Sequence, residues 1–199
     1  MFGDILIVCA LEQETQGQLE DWNVLYTGVG KVNATYKLLE HFGTFHSKPS
    51  VRRNYVLVIN YGTAGSRELP VGELVDCTKF IQRDMNVTGL GFTIGQTPFE
   101  HKPTVTIKST SEFNPIGRNA LCGSGDNFVE DRINYYGDVV DMEAYALAKV
   151  CYYYDVPFIS FKYITDRADD DANEDWEDNL SDGIKVFKEK VLDLIEKNS

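Results

Sequence analysis

The stretch Asp138–Ala168, DVVDMEAYALAKVCYYYDVPFISFKYITDRA, decides the fold of this chain. It begins with a short apolar run and contains a second one at Pro157–Ile164, and such runs are typical of buried strands. Between the two runs, Ala144–Tyr154 has the apolar spacing of a helix. The stretch therefore predicts a strand, a helix and a second strand, with Glu143 and Asp166 at the two strand ends.

Glu143 and Asp166 are the first candidates for chemistry. Side chains that follow the strands of an α/β protein meet in a crevice at the carboxyl edge of the sheet. The helix between the two carboxylates carries small alanine residues, so we expect both carboxylates to reach one crevice. Such a pair is suited to general-acid catalysis and to stabilising a sugar that develops positive charge.

Alternating strands and helices also extend over the rest of the chain. We therefore predict an α/β fold in which residues 1–199 form a single domain, with a central, mixed, largely parallel twisted sheet flanked by helices. The further predicted strands are Ile5–Cys9, Asn23–Thr27, Tyr55–Ile59, Glu73–Ile81, Thr104–Ile107 and Ala120–Cys122. The further predicted helices are Lys31–Phe42, a short helix within Glu12–Glu20 and a long amphipathic helix over Asp175–Asn198.

Composition and charge exclude several classes of protein. Hydrophobic residues make up 43% of the chain, which is enough for a real core. No run approaches the roughly 18 apolar residues that a membrane span needs, and the N-terminus is typical of a first strand, not of a signal peptide. The formal net charge of −12 at pH 7 repels phosphate backbones, so we expect no nucleic-acid partner and no membrane partner.

The cysteines and histidines predict no metal site. The four cysteines are widely spaced, and no C-x-x-C pair or Cys/His cluster occurs among them. The three histidines lack metal-ligand spacing as well. Buried, reduced thiols in a cytoplasmic protein are the expected state of these cysteines.

Two glycine-containing turns differ in what they suggest. Gly28-Val29-Gly30-Lys31 resembles half of a phosphate loop, but the other residues of that motif are absent, so a structural turn is the favoured interpretation. Gly62-Thr63-Ala64-Gly65-Ser66 closes a buried strand. Small residues at such a place leave room for a ligand against exposed backbone N–H groups.

Two polar segments leave alternatives open on composition alone. In Glu12-Gln13-Glu14, one glutamate turns inward at the sheet edge, or both acids simply favour a helix start. In Ser124–Val129, an aromatic face and backbone amides suit a flat heteroaromatic base, and a helix N-cap explains the same residues equally well.

Taken together, eight short segments resemble the 5′-methylthioadenosine/S-adenosylhomocysteine nucleosidases, a family within the nucleoside phosphorylase superfamily. The segments occur in the family's order and span nearly the whole chain. They are Ala10-Leu11-Glu12-Gln13-Glu14, Gly28-Val29-Gly30-Lys31-Val32, Gly62-Thr63-Ala64-Gly65, Asp84-Met85-Asn86-Val87-Thr88, Gly95-Gln96-x-Pro98, Ser124-Gly125-Asp126-x-Phe128, Asp141-Met142-Glu143-Ala144 and Thr165-Asp166-x-Ala168.

The resemblance implies roles for seven residues. Two of them act on the reacting bond: Glu14 orients and activates water, and Asp166 delivers a proton to purine N7. The remaining five hold the nucleoside: Glu143 and the Met142 backbone at the ribose hydroxyls, Phe128 against the adenine, the Val129 backbone at the adenine edge, and Thr63 near the sugar. Burial of Asp166 against an apolar wall is expected to raise its pKa, as a general acid requires.

The implied activity is hydrolysis of the N-glycosidic bond of 5′-methylthioadenosine or a related adenosine nucleoside, without any metal or organic cofactor. Phosphorolysis is the alternative, but Glu12–Gln18 holds two acids and no cation to receive phosphate. Arg67 and Arg83 keep that alternative open. A third possibility is a binding module without catalysis. The resemblance further implies a homodimer in which Leu90–Phe99 lies at the contact, and packing in the core explains Phe92 alone equally well.

Three departures from the family pattern bear on these expectations. Lys162 stands where bacterial members often carry arginine, and a lysine makes fewer fixed hydrogen bonds, so we expect water to be positioned differently. Between Pro98 and Ser124 the chain is too short and too rich in proline and glycine for the usual long helix. The acidic residues 166–171 make substrates with a large 5′ substituent less favoured.

Overall fold

The computed structural model describes residues 4–43, 55–100, 105–129, 136–169, 179 and 182–197. These residues form strands, two helices of eleven residues each and a C-terminal helical segment. The strands are β1 (Ile5–Cys9), β2 (Val24–Tyr26), β3 (Leu57–Gly65), β4 (Leu74–Gln82), β5 (Thr106–Lys108), β6 (Ala120–Ser124), β7 (Val139–Asp141) and β8 (Phe158–Asp166). The two helices are α1 (Lys31–His41) and α2 (Ala144–Tyr154).

In the described part of the chain, all eight strands belong to one sheet. Its order is β2-β1-β3-β7-β6-β4-β5, and β8 pairs with both β3 and β4. Five pairings are parallel and three, β3–β7, β4–β5 and β4–β8, are antiparallel. Because β8 joins β3 to β4, five strands close into a ring. The predicted mixed, largely parallel sheet is confirmed.

Helices cover the sheet on two faces. Residues of α1 and α2 share one core cluster, to which Leu38 and Leu147 belong. The C-terminal helical segment packs on a second cluster through Ile184, Phe187 and Val191. The predicted strand–helix–strand unit is also confirmed, because α2 has both expected ends and every residue of β8 is buried.

Several predicted boundaries are wrong. The short helix expected within Glu12–Glu20 is a single 3-10 turn, Glu12–Glu14, because Gln16 and Gly17 take positive φ angles that end it. Strand β3 does not stop at Ile59: it continues to Gly65, because residues 62–64 pair in register with β8.

The predicted C-terminal helix is present where the chain is described. It comprises Gly183–Phe187, a π-helical stretch at Lys188–Leu192 and Asp193–Lys197. Its predicted first residues, 175–178, lie outside the described residues, as does Thr104, the predicted start of β5.

Residues 105–119 contain β5 and loop but no helix, as expected for the shortened region. The buried carboxylate of Asp76 on β4 anchors this loop. It accepts hydrogen bonds from Asn114 Nδ2 (2.7 Å), the Arg118 amide (2.5 Å) and the Asn119 amide (2.8 Å). Side-chain hydrogen bonds therefore hold in place a segment that lacks regular structure.

Two further expectations concern the cysteines and the membrane. All four cysteines are buried and free of disulfide bonds, which confirms the predicted burial. Among the helices in the described ranges, none combines the length and the apolar character that spanning a lipid bilayer requires.

Candidate active site

The carboxyl ends of β1, β3, β6, β7 and β8 open into one cavity of about 230 Å³. This edge of the sheet is where ligands bind in open α/β proteins. The structure places all seven predicted site residues in the cavity lining: Glu14, Thr63, Phe128, Val129, Met142, Glu143 and Asp166. The three carboxylates are deeply buried, with exposures of 4% for Glu14, 8% for Glu143 and 4% for Asp166.

Glu14 is fixed by hydrogen bonds to both of its carboxylate oxygens. Oε2 accepts from the amides of Ala10 (3.2 Å) and Leu11 (3.0 Å), just past β1. Oε1 accepts from the amide (3.0 Å) and the hydroxyl (3.2 Å) of Thr63 on β3. Two strand ends therefore hold one carboxylate, in an orientation that backbone groups largely determine.

The absence of a side chain at Gly62 makes room for two charged groups. A Cβ atom there would lie 3.1 Å from Glu14 Oε1 and 3.3 Å from Lys162 Nζ. Both groups therefore reach the same small space beside β3. The motif that begins at Gly62 is part of the continuous strand β3, and its glycine allows these groups to approach closely.

Asp166 ends β8 and is positioned by its immediate neighbours. Oδ2 accepts from the Thr165 hydroxyl (2.9 Å) and Oδ1 from the Ala168 amide (2.9 Å). A Cβ atom at Gly65 would lie only 2.3 Å from Oδ1, so the carboxylate occupies space that glycine alone leaves open. Most of the acidic stretch that follows, residues 170–178, lies outside the described residues.

A buried ion pair lies beside the cavity, and its carboxylate belongs to the cavity lining. Lys162 Nζ is 2.8 Å from Asp141 Oδ2, and both side chains are almost fully buried. Burial alone would raise the pKa of Asp141, but the Lys162 charge and hydrogen bonds from Lys162, Ser124 and the Ala144 amide hold it below its usual value. Lys162 is therefore charge-balanced by a carboxylate on β7.

Glu143 faces the cavity from the N-terminal end of α2. Its Oε1 accepts a hydrogen bond from the Gly30 amide (2.8 Å), which ties it to the turn before α1. Burial raises the pKa of Glu143 from 4.5 to about 8, and the nearby Asp141 carboxylate acts in the same direction, against the Lys162 charge. Near neutral pH the unliganded protein therefore holds Glu143 largely in its protonated form.

This raised pKa predicts that stability depends on pH. Between pH 4.5 and about 8 the folded state keeps a proton on Glu143 that the unfolded state releases. The stabilisation is complete below pH 4.5 and is lost as the pH rises through about 8, by an amount on the order of a few kcal/mol. We expect Glu143→Gln to remove this component, so urea unfolding of both proteins from pH 4 to 9 checks it. Parallel stability curves for the two proteins would contradict the prediction.

Part of the cavity lining is apolar. Phe128 is 42% exposed and lines the cavity, whereas Val129 is buried and packs with Val140 and Ala168. An exposed aromatic ring beside small buried residues forms a slot that suits a flat heteroaromatic ring.

Sequence reasoning overlooked several groups that shape this site. Asp141 was seen only as part of a motif, and Arg83 only as a candidate phosphate ligand, yet both line the cavity. Their partners lie far away in sequence, at Lys162 and at Asn127. The available signal was that a lysine in an otherwise apolar strand needs a buried carboxylate partner. In the described ranges, no three metal-binding side chains gather into a ligand set.

Comparison with known proteins agrees with this geometry. Residues 12–196 match the model of the phosphorylase superfamily. The chain is 33% identical over 194 residues to the 5′-methylthioadenosine/S-adenosylhomocysteine nucleosidase of Haemophilus ducreyi, covering 87% of this chain and 79% of the relative. It is 32% identical over 202 residues to the protein of the same name from Haemophilus influenzae, covering 89% and 82%.

Solved structures share the fold at lower identity. The nucleosidase of the same name from Helicobacter pylori, complexed with an inhibitor, superposes with a TM-score of 0.81 at 20% identity over 97% of both chains. The futalosine hydrolase of Helicobacter pylori superposes with a TM-score of 0.82 at 20% identity, also over 97% of both chains. The chain thus belongs to the 5′-methylthioadenosine/S-adenosylhomocysteine nucleosidase family of the phosphorylase superfamily.

Proposed function

We propose that this protein hydrolyses the N-glycosidic bond of 5′-methylthioadenosine, or of a closely related 5′-substituted adenosine, and releases adenine. The proposal treats residues 1–199 as one functional domain. The observation that carries it is the convergence of Glu14, Glu143 and Asp166 on a single cavity with an apolar, aromatic wall. The curated relatives that match most of the chain carry the name of this activity.

In the proposed mechanism, Asp166 acts as the general acid. Phe128 and the Val129 backbone hold the adenine ring so that Asp166 donates its proton to purine N7. Protonation makes adenine a better leaving group, and the C1′–N9 bond breaks with the electron pair going to the base. The ribose is left as an oxocarbenium-like cation, as in other glycoside hydrolyses.

Glu14 and Glu143 act on the sugar side. Glu14 holds a water molecule and accepts its proton as the water oxygen bonds to C1′, which yields free adenine and 5-methylthioribose. Glu143 and the Met142 backbone hold the ribose hydroxyls. Because Thr63, Ala10 and Leu11 already fix the Glu14 carboxylate, little reorganisation is needed during the reaction.

Hydrolysis is favoured over phosphorolysis by the charges around the cavity. Arg83 is the single lysine or arginine in the described lining, and its guanidinium already binds Asn127 and Gly125. Lys162, beside the cavity, is paired with Asp141. A phosphate dianion near Glu14 would meet buried negative charge without a free cation in the described lining to offset it.

One assay tests this proposal. Purified protein is incubated with 5′-methylthioadenosine in phosphate-free buffer and in buffer with inorganic phosphate, and the products are identified by mass. We expect adenine and 5-methylthioribose at the same rate in both buffers. A strict phosphate requirement with a sugar 1-phosphate product would establish the phosphorylase alternative, and no release of base would refute both.

The close approach of Gly65 to Asp166 gives a sharp prediction. In Gly65→Ala the new Cβ displaces the Asp166 carboxylate, and misplacing a catalytic group by about 1 Å costs about 10²-fold in rate. We therefore expect kcat for adenine release to fall by about that factor. Gly89→Ala is the matched control, because Gly89 has open space where a Cβ would stand. Equal kcat values in the two variants would contradict the prediction.

We also infer a homodimer that forms through Leu90–Phe99. Phe99 is 89% exposed, and Leu90 is exposed as well. Glu100, which follows this segment, is ion-paired with Lys149 on α2. Exposed apolar side chains clustered in this way are typical of protein interfaces. Light scattering over a range of concentrations tests the inference, and a monomer throughout would contradict it.

The cytoplasm is the proposed location. Buried, reduced cysteines support it, since free thiols persist in reducing compartments. Fractionation of cells that produce the protein, followed by detection with an antibody, tests the location.

A further inference from the structure

Arg83 is a buried arginine that the proposed mechanism does not use. It follows β4, is 6% exposed and lies against the segment Gly125–Val129, which we call the base loop. Its Nη1 donates to Asn127 Oδ1 at 2.9 Å, and its Nη2 donates to the carbonyl of Gly125 at 3.4 Å and to the carbonyl of Asn127. One guanidinium therefore spans the first half of the loop that carries Phe128 and Val129.

The sequence of the base loop accommodates this side chain. A Cβ atom at Gly125 would lie 2.7 Å from the Arg83 Cζ atom. Any residue other than glycine would push the guanidinium away from the loop. The glycine and the arginine therefore form a matched pair, although 41 positions in the chain separate them.

The next residue, Asp84, binds the same loop at Asp126. Its Oδ2 accepts from the Asp126 amide at 3.0 Å and pairs with Lys31 Nζ at 2.5 Å. Lys31 Nζ also lies 2.9 Å from Asp126. Because Lys31 follows Gly30, whose amide binds Glu143, these contacts connect the base loop to the ribose side of the cavity.

Burying Arg83 is costly, and no carboxylate in the described part of the chain offsets that cost with a direct ion pair. Burial lowers its pKa from the ordinary value, and the charges of Asp84 and Asp141 only oppose that effect. Among the described residues, its Nη1 and Nη2 donors go to an amide oxygen and to backbone carbonyls. The hydrogen bonds of this buried charged group all go to one loop. This indicates that the conformation of that loop matters to function.

We propose that Arg83 is a positioning residue that fixes the base loop so that Phe128 and Val129 meet the adenine. The proposal rests on the proposed nucleosidase function. Separate contacts hold the groups that act on the bond, since Glu14 is bound by Thr63 and the residues after β1, and Asp166 by its own neighbours. Loss of Arg83 should therefore weaken binding of the base and spare the chemical step.

The expected result is a change in KM without a comparable change in kcat. In Arg83→Gln the base loop is correctly ordered only part of the time, and apparent affinity falls with the competent fraction, so KM for 5′-methylthioadenosine rises by about tenfold or more. The dissociation constant of free adenine, measured by calorimetry, rises by a similar factor. kcat stays within about threefold of the wild-type value.

Arg83→Lys and Lys79→Gln complete the experiment. Lysine keeps the charge but has fewer fixed donors, so KM should lie between the wild-type and Arg83→Gln values. Lys79 is exposed on the same strand, and Lys79→Gln makes the same charge change with KM expected to be unaltered. Thermal unfolding shows whether each variant is folded. If Arg83→Gln does not fold, the KM and adenine affinity of Arg83→Lys are compared with those of the wild-type protein instead.

The outcomes separate this proposal from the one it rests on. An unchanged KM and adenine affinity in a folded Arg83 variant, or a lower kcat at unchanged KM, would overturn the positioning role. Failure of the wild-type protein to release adenine would instead refute the nucleosidase function. A raised KM with weaker adenine binding in the Arg83 variants alone would support both.

Discussion

Asp166→Asn is expected to lower kcat for adenine release from 5′-methylthioadenosine by about 10²- to 10⁴-fold, the usual contribution of a general acid. Asparagine has nearly the same shape and can still accept a hydrogen bond through Oδ1, as Asp166 does from the Ala168 amide. It cannot deliver a proton to purine N7. The substitution should therefore slow the chemical step and leave the fold unchanged.

Single-turnover rates of adenine release measure this loss, and calorimetry with free adenine shows whether the pocket survives. Asp155→Asn is the matched control, because Asp155 is exposed and has a left-handed φ of 52° that asparagine also tolerates. Retained adenine binding with lost turnover would distinguish an enzyme from a mere nucleoside-binding module. A folded Asp166→Asn protein that turns over within tenfold of wild type would exclude the assigned acid.

Glu14→Gln is expected to have an effect of similar size, about 10²- to 10⁴-fold on kcat, for two reasons. A neutral amide cannot take the proton of the attacking water. It also fits badly, because both Glu14 oxygens accept from N–H or O–H donors of Ala10, Leu11 and Thr63. Whichever way the amide turns, its NH₂ group faces donors, which costs about 1–3 kcal/mol of stability.

Glu12→Gln provides the control for Glu14→Gln. Glu12 lies in the same 3-10 turn but is exposed, so the substitution makes the same chemical change outside the cavity. We expect it to keep its turnover and its urea midpoint. If Glu12→Gln and Glu14→Gln lost activity equally, the effect would belong to the turn as a whole and not to the buried carboxylate.

The part of the fold that local patterns control could be predicted well. Helix α2 begins and ends where its apolar spacing predicts, and its end is reinforced by the left-handed Asp155 and by the nearby Pro157. Strand β8 is buried along its whole length, as its largely apolar predicted part indicates. In both cases the local signal and the tertiary environment agree.

Boundaries that depend on distant partners could not be predicted. Glycine is a poor strand former, so Gly62 and Gly65 indicated a turn, yet pairing with β8 keeps both extended. The contacts of Arg83 with the base loop and of Lys162 with Asp141 join residues that no local pattern relates. The predicted strand ends supplied Glu143 and Asp166, and the resemblance added the other five candidate residues. The roles of all seven stay predictions until the substitutions are measured.

The start of the loop between β5 and β6 lies at the far end of β8 from the cavity. Ser109 donates to the carbonyl of Phe158, the first residue of β8, whereas Asp166 is the last. At about 3.3 Å per residue, roughly 25 Å of strand separates them. Thr110, the next residue of this loop, is exposed. The start of this loop is thus a suitable place to insert a fluorescent reporter or an immobilisation tag, because a group attached there would leave the entrance used by nucleosides unobstructed.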